Sequence, residues 1–130
     1  MAFSYRDLRP YKYQLLEDYE HVCEGAWARS EFDGSFLSLS REAKGFRIVV
    51  KRGYAWDGAS GPAIDTPTIM RASLVHDALY QLMRLRIIPQ AFRQRADEVL
   101  REISIEDGMS VIRATYVYWA VRLFASGAAK

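Results

Sequence analysis

Residues 74–80 read Leu-Val-His-Asp-Ala-Leu-Tyr, and they follow a loop at residues 54–62 that reads Tyr-Ala-Trp-Asp-Gly-Ala-Ser-Gly-Pro. The loop consists mainly of turn-forming residues, whereas the second stretch places a histidine and an aspartate inside an apolar helical run. Burying these two polar groups costs free energy unless each is paired or bound to a ligand. We therefore expect the chain to be organised around His76 and Asp77, and any functional site to include them.

The length and composition of the chain indicate a single domain over residues 1–130. Half of the residues are hydrophobic, which is unlike a disordered chain, and the formal net charge of +2 does not indicate nucleic-acid binding. The single cysteine, Cys23, leaves no internal disulfide. No secretion signal is expected, because the first residues lack an apolar segment. No membrane span is expected either, because the most apolar run, residues 111–124, is short and contains two arginines.

The first half of the chain predicts a small antiparallel sheet over about residues 11–52. Apolar and polar residues alternate with a period of two over residues 11–24, which indicates one bent strand or a hairpin. The alternation returns over residues 37–39. The strongest strand pattern is residues 46–51, which follow a turn at residues 44–45.

The second half of the chain has the hydrophobic period of helices. Thr66 and Pro67 fit the cap and first turn of a helix that is apolar nearly all round and ends before Pro89. The short join at Pro89 makes the first two helices antiparallel neighbours. The aromatic residues of the last helix are expected in the core rather than against lipid. A sheet followed by helices predicts an α+β fold. The three helices are predicted at about 67–86, 90–104 and 109–125.

The helical pattern predicts a contact between His76 and Asp97. Asp97 comes 21 residues after His76, so the two side chains lie at similar heights on antiparallel helices joined near residues 87–89. Asp97 is then expected to accept a hydrogen bond from His76 and fix its tautomer, as the third member of a catalytic triad does. Tyr80 lies one helical turn after His76, on the same face.

Asp77 is expected to serve a different purpose from His76. The two residues are adjacent, so on a helix they point about 100° apart, and Asp77 is directed towards the loop at Asp57 and Gly58. Two carboxylates with loop carbonyls form an oxygen-rich set that suits Ca²⁺ and, less well, Mg²⁺.

Simpler interpretations of the same residues remain open. A buried His–Asp pair is often a satisfied structural network, and Asp57-Gly58 is an ordinary turn sequence. Arg93 and Asp97 are four residues apart and fit a surface ion pair. His21 is expected to be only a sheet residue. A metal phosphohydrolase that uses His21 with His76, Asp77 and Asp97 is a third alternative, which the predicted sheet disfavours because such enzymes are helical throughout.

Four motifs follow one another after the strand that begins near residue 46. They are Gly53-Tyr54-Ala55-Trp56-Asp57-Gly58-Ala59-Ser60-Gly61-Pro62, Val75-His76-Asp77-Ala78-Leu79-Tyr80, Arg95-Ala96-Asp97 and Tyr118-Trp119-Ala120-Val121-Arg122-Leu123-Phe124. As a set they resemble the phage and prophage family known as domain of unknown function 1353. The resemblance implies a phage or prophage origin, a location in the host cytoplasm or the virion, and other phage proteins as partners.

A more remote resemblance concerns the site alone. It rests on Asp57-Gly58-Ala59-Ser60, His76-Asp77-Ala78-Leu79-Tyr80 and Asp97 on the next helix. These motifs are similar to the bacterial and fungal phospholipase A2 type. The resemblance implies that His76 is the general base for a water, that Asp97 orients His76 and that Tyr80 supports Asp97.

The same resemblance implies calcium ligands at Asp57, Gly58 and Asp77. The chain departs from the phospholipase type in having no disulfide, no signal peptide and a sheet in place of the N-terminal helical part. Two functions are therefore expected as alternatives. One is a calcium-dependent hydrolase of lipid or other esters, and the other is a non-catalytic phage morphogenesis or virion component that keeps the motif for structure.

Overall fold

The computed structural model describes residues 3–7, 13–57 and 67–130, and the chain forms two compact units. Unit 1 consists of Met1–Asp57 with Ile87–Pro89, and unit 2 of Gly58–Arg86 with Gln90–Lys130. Antiparallel strands occupy the first half of the chain and helices the second, which confirms the predicted α+β fold. The single domain stays a prediction. The strands of unit 1 are β1 (Tyr5–Asp7), β2 (Tyr13–Leu15), β3 (Tyr19–Glu24), β4 (Phe32–Asp33), β5 (Leu37–Glu42), β6 (Gly45–Val50) and β7 (Ala55–Trp56).

A four-stranded antiparallel sheet contains the best-predicted strands, in the order β3-β6-β5-β4. The apolar side chains of β6 alternate and are buried, as the period-two pattern predicts. Gly45 is required for the pairing of β6 with β3, because a Cβ atom there would lie 2.0 Å from the carbonyl oxygen of Cys23. His21 pairs with Ile48 and is half-buried, so its prediction as a sheet residue is confirmed.

A second sheet was not predicted. It has three antiparallel strands in the order β1-β2-β7. The bent strand or hairpin predicted at residues 11–24 is wrong for the described residues 13–24, because β2 and β3 belong to different sheets. The loop predicted at residues 54–62 begins with a strand, because Trp56 pairs with Tyr13 and is almost completely buried. The ring of Trp56 also lies 5.9 Å from that of Tyr5, an aromatic contact that favours the strand.

The described part of unit 2 contains three α-helices. They are α1 (Pro67–Arg84), α2 (Arg93–Glu106) and α3 (Val111–Phe124). Twelve of the 18 residues of α1 are buried, as expected of a central helix. α1 packs on α2, and α2 packs on α3. Arg71 near the start of α1 pairs with Asp107 just after the end of α2 at 2.9 Å, while His76 further along α1 meets Asp97 earlier in α2, so the two helices are antiparallel as predicted.

The helix boundaries differ from the prediction by a few residues. α1 ends at Arg84 because Arg86 takes a left-handed φ of 66°. A short 3₁₀ turn at Gln90–Phe92 precedes α2. α3 begins after Ser110, whose hydroxyl accepts a hydrogen bond from the backbone N–H of Arg113 at 3.2 Å. Thr66, the predicted cap of α1, lies outside the described residues.

The prediction that the aromatic residues of the last helix lie in the core is wrong for Tyr116, Trp119 and Phe124. These three side chains are more than half exposed. α3 instead buries the small side chains of its opposite face, which allow close packing. Within the described parts of the chain, no helix is long and apolar enough to cross a membrane. The buried residues of α3 are Ala114, Val117, Ala120 and Val121.

Candidate functional site

The candidate site begins with two aromatic rings on one face of α1. His76 and Tyr80 are four residues apart, so they lie one turn above each other. Their ring centroids are 4.1 Å apart with an interplanar angle of 42°. Both are buried, and His76 keeps 7% of its surface exposed. Most of the residues around them on α1 are apolar and buried.

The carboxylate of Asp97 lies at the centre of the site. Asp97 is completely buried. Its Oδ1 atom is 2.7 Å from His76 Nε2 and 2.6 Å from the hydroxyl of Tyr80, and its Oδ2 atom accepts a hydrogen bond from Arg122 Nη1 at 3.0 Å. The contacts of Asp97 with His76 and Tyr80 are those that the sequence predicts. The roles of these three residues in catalysis stay predictions.

Arg93 joins the site to the end of α3. Its Nε atom donates to the hydroxyl of Tyr80 at 3.2 Å. Its Nη2 atom donates to the backbone carbonyls of Val121 at 3.1 Å and Arg122 at 2.7 Å, and it lies 3.9 Å from Asp97 Oδ2. The interpretation of Arg93 and Asp97 as a surface ion pair is wrong, because Asp97 has no exposed surface.

Asp97 is an anion at neutral pH. Burial alone would raise the pKa of its carboxyl, but the hydrogen bonds from His76 and Tyr80, the attraction of His76 and the hydrogen bond from Arg122 together lower that pKa below its ordinary value. Burial, followed by the hydrogen bond to Asp97, raises the pKa of Tyr80 well above its ordinary value of 10.0. Tyr80 is therefore a protonated donor, and the carboxylate accepts all three hydrogen bonds.

The ionised carboxylate fixes the tautomer of His76. A carboxylate only accepts hydrogen bonds, so the Nε2 atom of His76 carries the proton and donates it. In the neutral ring the lone pair is then on Nδ1. A histidine held in this way can act as a base through Nδ1, and the nearby carboxylate stabilises the imidazolium that forms.

Comparison with known proteins places the chain in a family. Residues 37–121 match the family described as "Protein of unknown function (DUF1353)", which is more than half of the 130-residue chain. The chain belongs to the DUF1353 family. The DUF1353 match includes His76, Tyr80, Arg93 and Asp97 and ends one residue before Arg122. No curated protein and no solved structure matches the chain.

The described part of this DUF1353 protein shows no cluster that contains the predicted calcium ligands. Asp57 is exposed after β7 in unit 1, and Asp77 is half-buried on α1 in unit 2, where it has a partner within the chain. Gly58 lies outside the described residues. Over residues 3–7, 13–57 and 67–130, no group of three or more His, Cys, Asp or Glu side chains is placed to hold a metal ion. The predicted ligands supply carboxylate and carbonyl oxygens, which are the donors that Ca²⁺ prefers. Because Gly58 is not described, the calcium site stays a prediction.

Two residues of the site were missed as site residues: Arg93, which was interpreted as half of a surface ion pair, and Arg122. The signal of Arg122 was present in the sequence, because it is a charged residue within the apolar run of α3. The same argument that singled out His76 applies to it, since a charge in an apolar run needs a partner. The partner is Asp97.

Proposed function

We propose that this DUF1353 protein is a hydrolase of lipid or other carboxylic esters in which His76 is the general base. One observation carries the proposal: the hydrogen bond from His76 Nε2 to the buried carboxylate of Asp97, at 2.7 Å. This bond leaves Nδ1 as the proton acceptor and places an anion where the imidazolium will form. An aspartate with no exposed surface holds the ring in one orientation, which general-base catalysis requires.

In the proposed reaction, Nδ1 of His76 removes a proton from a water molecule as the water oxygen attacks the ester carbonyl. The carboxylate of Asp97 stabilises the positive charge that the ring gains. His76 then returns the proton to the oxygen of the departing alcohol, so that the products are a carboxylic acid and an alcohol. Tyr80 and Arg122 keep the carboxylate of Asp97 in place from two sides.

The calcium part of the proposal rests on the sequence. Asp57, the carbonyl of Gly58 and Asp77 would hold the ion, and when bound it would polarise the ester carbonyl. Millimolar Ca²⁺ is then expected to raise the melting temperature, because the ion binds the folded protein alone. Asp57→Asn and Asp77→Asn should each abolish the rise, while Glu102→Gln, on the exposed face of α2, should keep it. A melting curve that Ca²⁺ does not move refutes the calcium site.

The proposed origin is a phage or prophage, with the protein in the host cytoplasm or in the virion and with other phage proteins as partners. The resemblance to phage and prophage proteins supports this part. Mass spectrometry of purified particles from a phage that encodes the chain tests it. Peptides of the chain at a constant ratio to capsid protein would place it in the virion, and their absence from pure particles would exclude a virion component.

A second candidate function is a structural one, in which the same network holds three helices together without catalysis. Both oxygens of Asp97 have partners in the chain. Among the described residues, no buried polar side-chain atom lacks a hydrogen-bond partner. A satisfied network of this kind stabilises a fold, and the pairing with Arg122 weakens the support that Asp97 can give to an imidazolium.

The variant His76→Asn distinguishes the two candidates. If His76 is the base, the replacement should reduce ester hydrolysis by about 10²–10⁴-fold. Under either candidate, the loss of a partner for buried Asp97 should reduce stability by about 2–4 kcal/mol, so the change in hydrolysis distinguishes the two. Urea unfolding is measured beside assays on a phospholipid and a short-chain ester.

The control is His21→Asn, which removes the other histidine of the chain from β3 in unit 1. It should leave hydrolysis unchanged. A wild-type protein without detectable hydrolysis, together with a large loss of stability in His76→Asn, contradicts the hydrolase and supports the structural candidate.

A further inference from the structure

α3 carries a straight stripe of exposed apolar side chains, Ile112, Tyr116, Trp119 and Leu123. Between 56% and 86% of each residue's surface is exposed. Their spacings of four, three and four residues place them on one line along the helix, in the pattern by which one helix packs against another. The buried side of α3, which includes Val117 and Val121, lies opposite. The stripe is therefore a second packing face that no described part of the chain covers.

The stripe is larger than the scattered apolar residues found on most protein surfaces. It extends over about three helical turns, or about 17 Å, and Phe124, which is 69% exposed, adjoins its end. Large side chains of this kind form an apolar patch on the order of several hundred Å², which is the size of the largest patch on a typical monomer and is often functional.

The spacing of the stripe makes it complementary to itself. Ile112 and Leu123 are equally far from the midpoint of the stripe, between residues 117 and 118, and so are Tyr116 and Trp119. A two-fold axis through this midpoint brings Ile112 against Leu123 of a second copy and Tyr116 against Trp119 of that copy. This is the isologous arrangement of a symmetric dimer, in which the side chains of two antiparallel helices pack against each other.

The charges of α3 fit an antiparallel second copy better than a membrane surface. Its charged residues are Arg113 and Arg122. They lie on opposite flanks of the stripe. In the two-fold arrangement Arg113 is therefore beside Ala120 of the other copy and Arg122 beside Thr115, so no like charges meet. The dipoles of the two helices also point in opposite directions. An anionic lipid surface needs available cations, but Arg122 is bound to Asp97 and Arg113 has a partner within the chain.

We propose that two copies of this protein associate through α3, antiparallel and in this register. The patch is smaller than the roughly 800 Å² per partner of a standard interface. The dimer is therefore weak and depends on concentration, with a dissociation constant on the order of micromolar.

Sedimentation equilibrium over a range of protein concentrations tests the dimer. The wild-type mass should rise from the chain mass of 14.9 kDa towards twice that value. Ile112→Glu and Leu123→Lys should each weaken association at least tenfold, because each buries a charge against an apolar residue of the other copy. A mixture of the two variants should recover the dimer. In the antiparallel register, the new carboxylate then meets the new ammonium group, and the other end keeps Ile112 against Leu123.

The control is Val22→Glu, which places a charge on an exposed apolar residue of β3 and should leave the dimer unchanged. Melting temperatures equal to that of the wild type show that all variants fold, since each substituted side chain is on the surface. A wild-type mass that stays at 14.9 kDa throughout overturns the proposal. So does a dimer that Ile112→Glu and Leu123→Lys leave intact, or a monomer whose Trp119 fluorescence shifts to the blue on phosphatidylglycerol vesicles, which assigns the stripe to lipid.

Discussion

Asp97 carries a negative charge that is balanced by residues of α1, α2 and α3. His76 and Tyr80 approach it from α1, Arg93 from its own helix and Arg122 from α3. The effect of such a buried carboxylate on stability is largest when it is removed, because its charged partners are then left without a counter-charge. Without it, two guanidinium groups would lie near each other with no anion between them.

The variant Asp97→Asn is therefore expected to lower the free energy of unfolding by about 3–5 kcal/mol, because a neutral amide cannot balance Arg122 and its NH₂ group cannot accept hydrogen bonds. Urea unfolding measures the loss. Glu102→Gln makes the same chemical change on the exposed side of α2 and should have little effect. Equal midpoints for the two variants would show that the Asp97 network contributes nothing.

Among the elements, the hairpin of β5 and β6 depends on one glycine for its contact with β3. Gly45 begins β6 opposite Glu24, and the carbonyl of Cys23 occupies the place where a side chain would begin. That neighbour is backbone rather than the end of a flexible side chain, so it cannot turn away. The close approach limits this position to glycine.

Gly45→Ala should consequently lower the free energy of unfolding by more than about 2 kcal/mol, because the two strands must separate to admit the methyl group. Gly127→Ala provides the control, since a Cβ atom there meets nothing within 4 Å. Thermal unfolding followed by circular dichroism compares the two variants. Similar melting temperatures would contradict the close approach of β6 to the Cys23 carbonyl.

The elements also show why some features could be predicted from sequence. The helices and their antiparallel packing follow from local periodicity and a short join, and the contact of His76 with Asp97 follows from them. The second sheet was missed because Tyr13 pairs with Trp56 across a long stretch of chain, and no local pattern specifies such a partner. The exposed aromatic residues of α3 were assigned to the core because hydrophobicity alone does not indicate which face of a helix packs. The buried residues of α3 are two alanines and two valines, whereas Tyr116, Trp119 and Phe124 are exposed.

For the whole molecule, the Asp97 network predicts losses of stability at both ends of the pH scale. The pKa of Asp97 is lower in the folded protein than its ordinary value of 3.8, so the unfolded chain binds more protons below that pH. The contribution of Asp97 is complete above it and is lost as the pH falls through the folded pKa. The pKa of Tyr80 is raised in the folded protein above 10.0, so its contribution is complete below that pH and is lost as the pH rises further.

Tyr80→Phe tests the alkaline end. The variant keeps the ring but cannot ionise, so its melting temperature should fall less steeply than that of the wild type above about pH 10. At neutral pH it should be less stable by about 1–3 kcal/mol, because Asp97 loses a hydrogen bond. The control, Tyr116→Phe, removes an exposed hydroxyl from α3 and should follow the wild-type profile. Superimposable alkaline profiles for Tyr80→Phe and the wild type would contradict the raised pKa of Tyr80 in the folded protein.

The discontinuity of unit 1 has a consequence for how genes of this family can recombine. Ile87–Pro89 belongs to unit 1, although in the sequence it lies between two helices of unit 2. The carbonyl of Ile87 accepts a hydrogen bond from the backbone N–H of Arg29 at 2.8 Å. A single crossover after Asp57 would give a chimaera whose Arg29 comes from one parent and whose Ile87–Pro89 segment comes from the other. The DUF1353 match also begins within unit 1 and continues into unit 2. The two units are therefore expected to be inherited together rather than exchanged as separate modules.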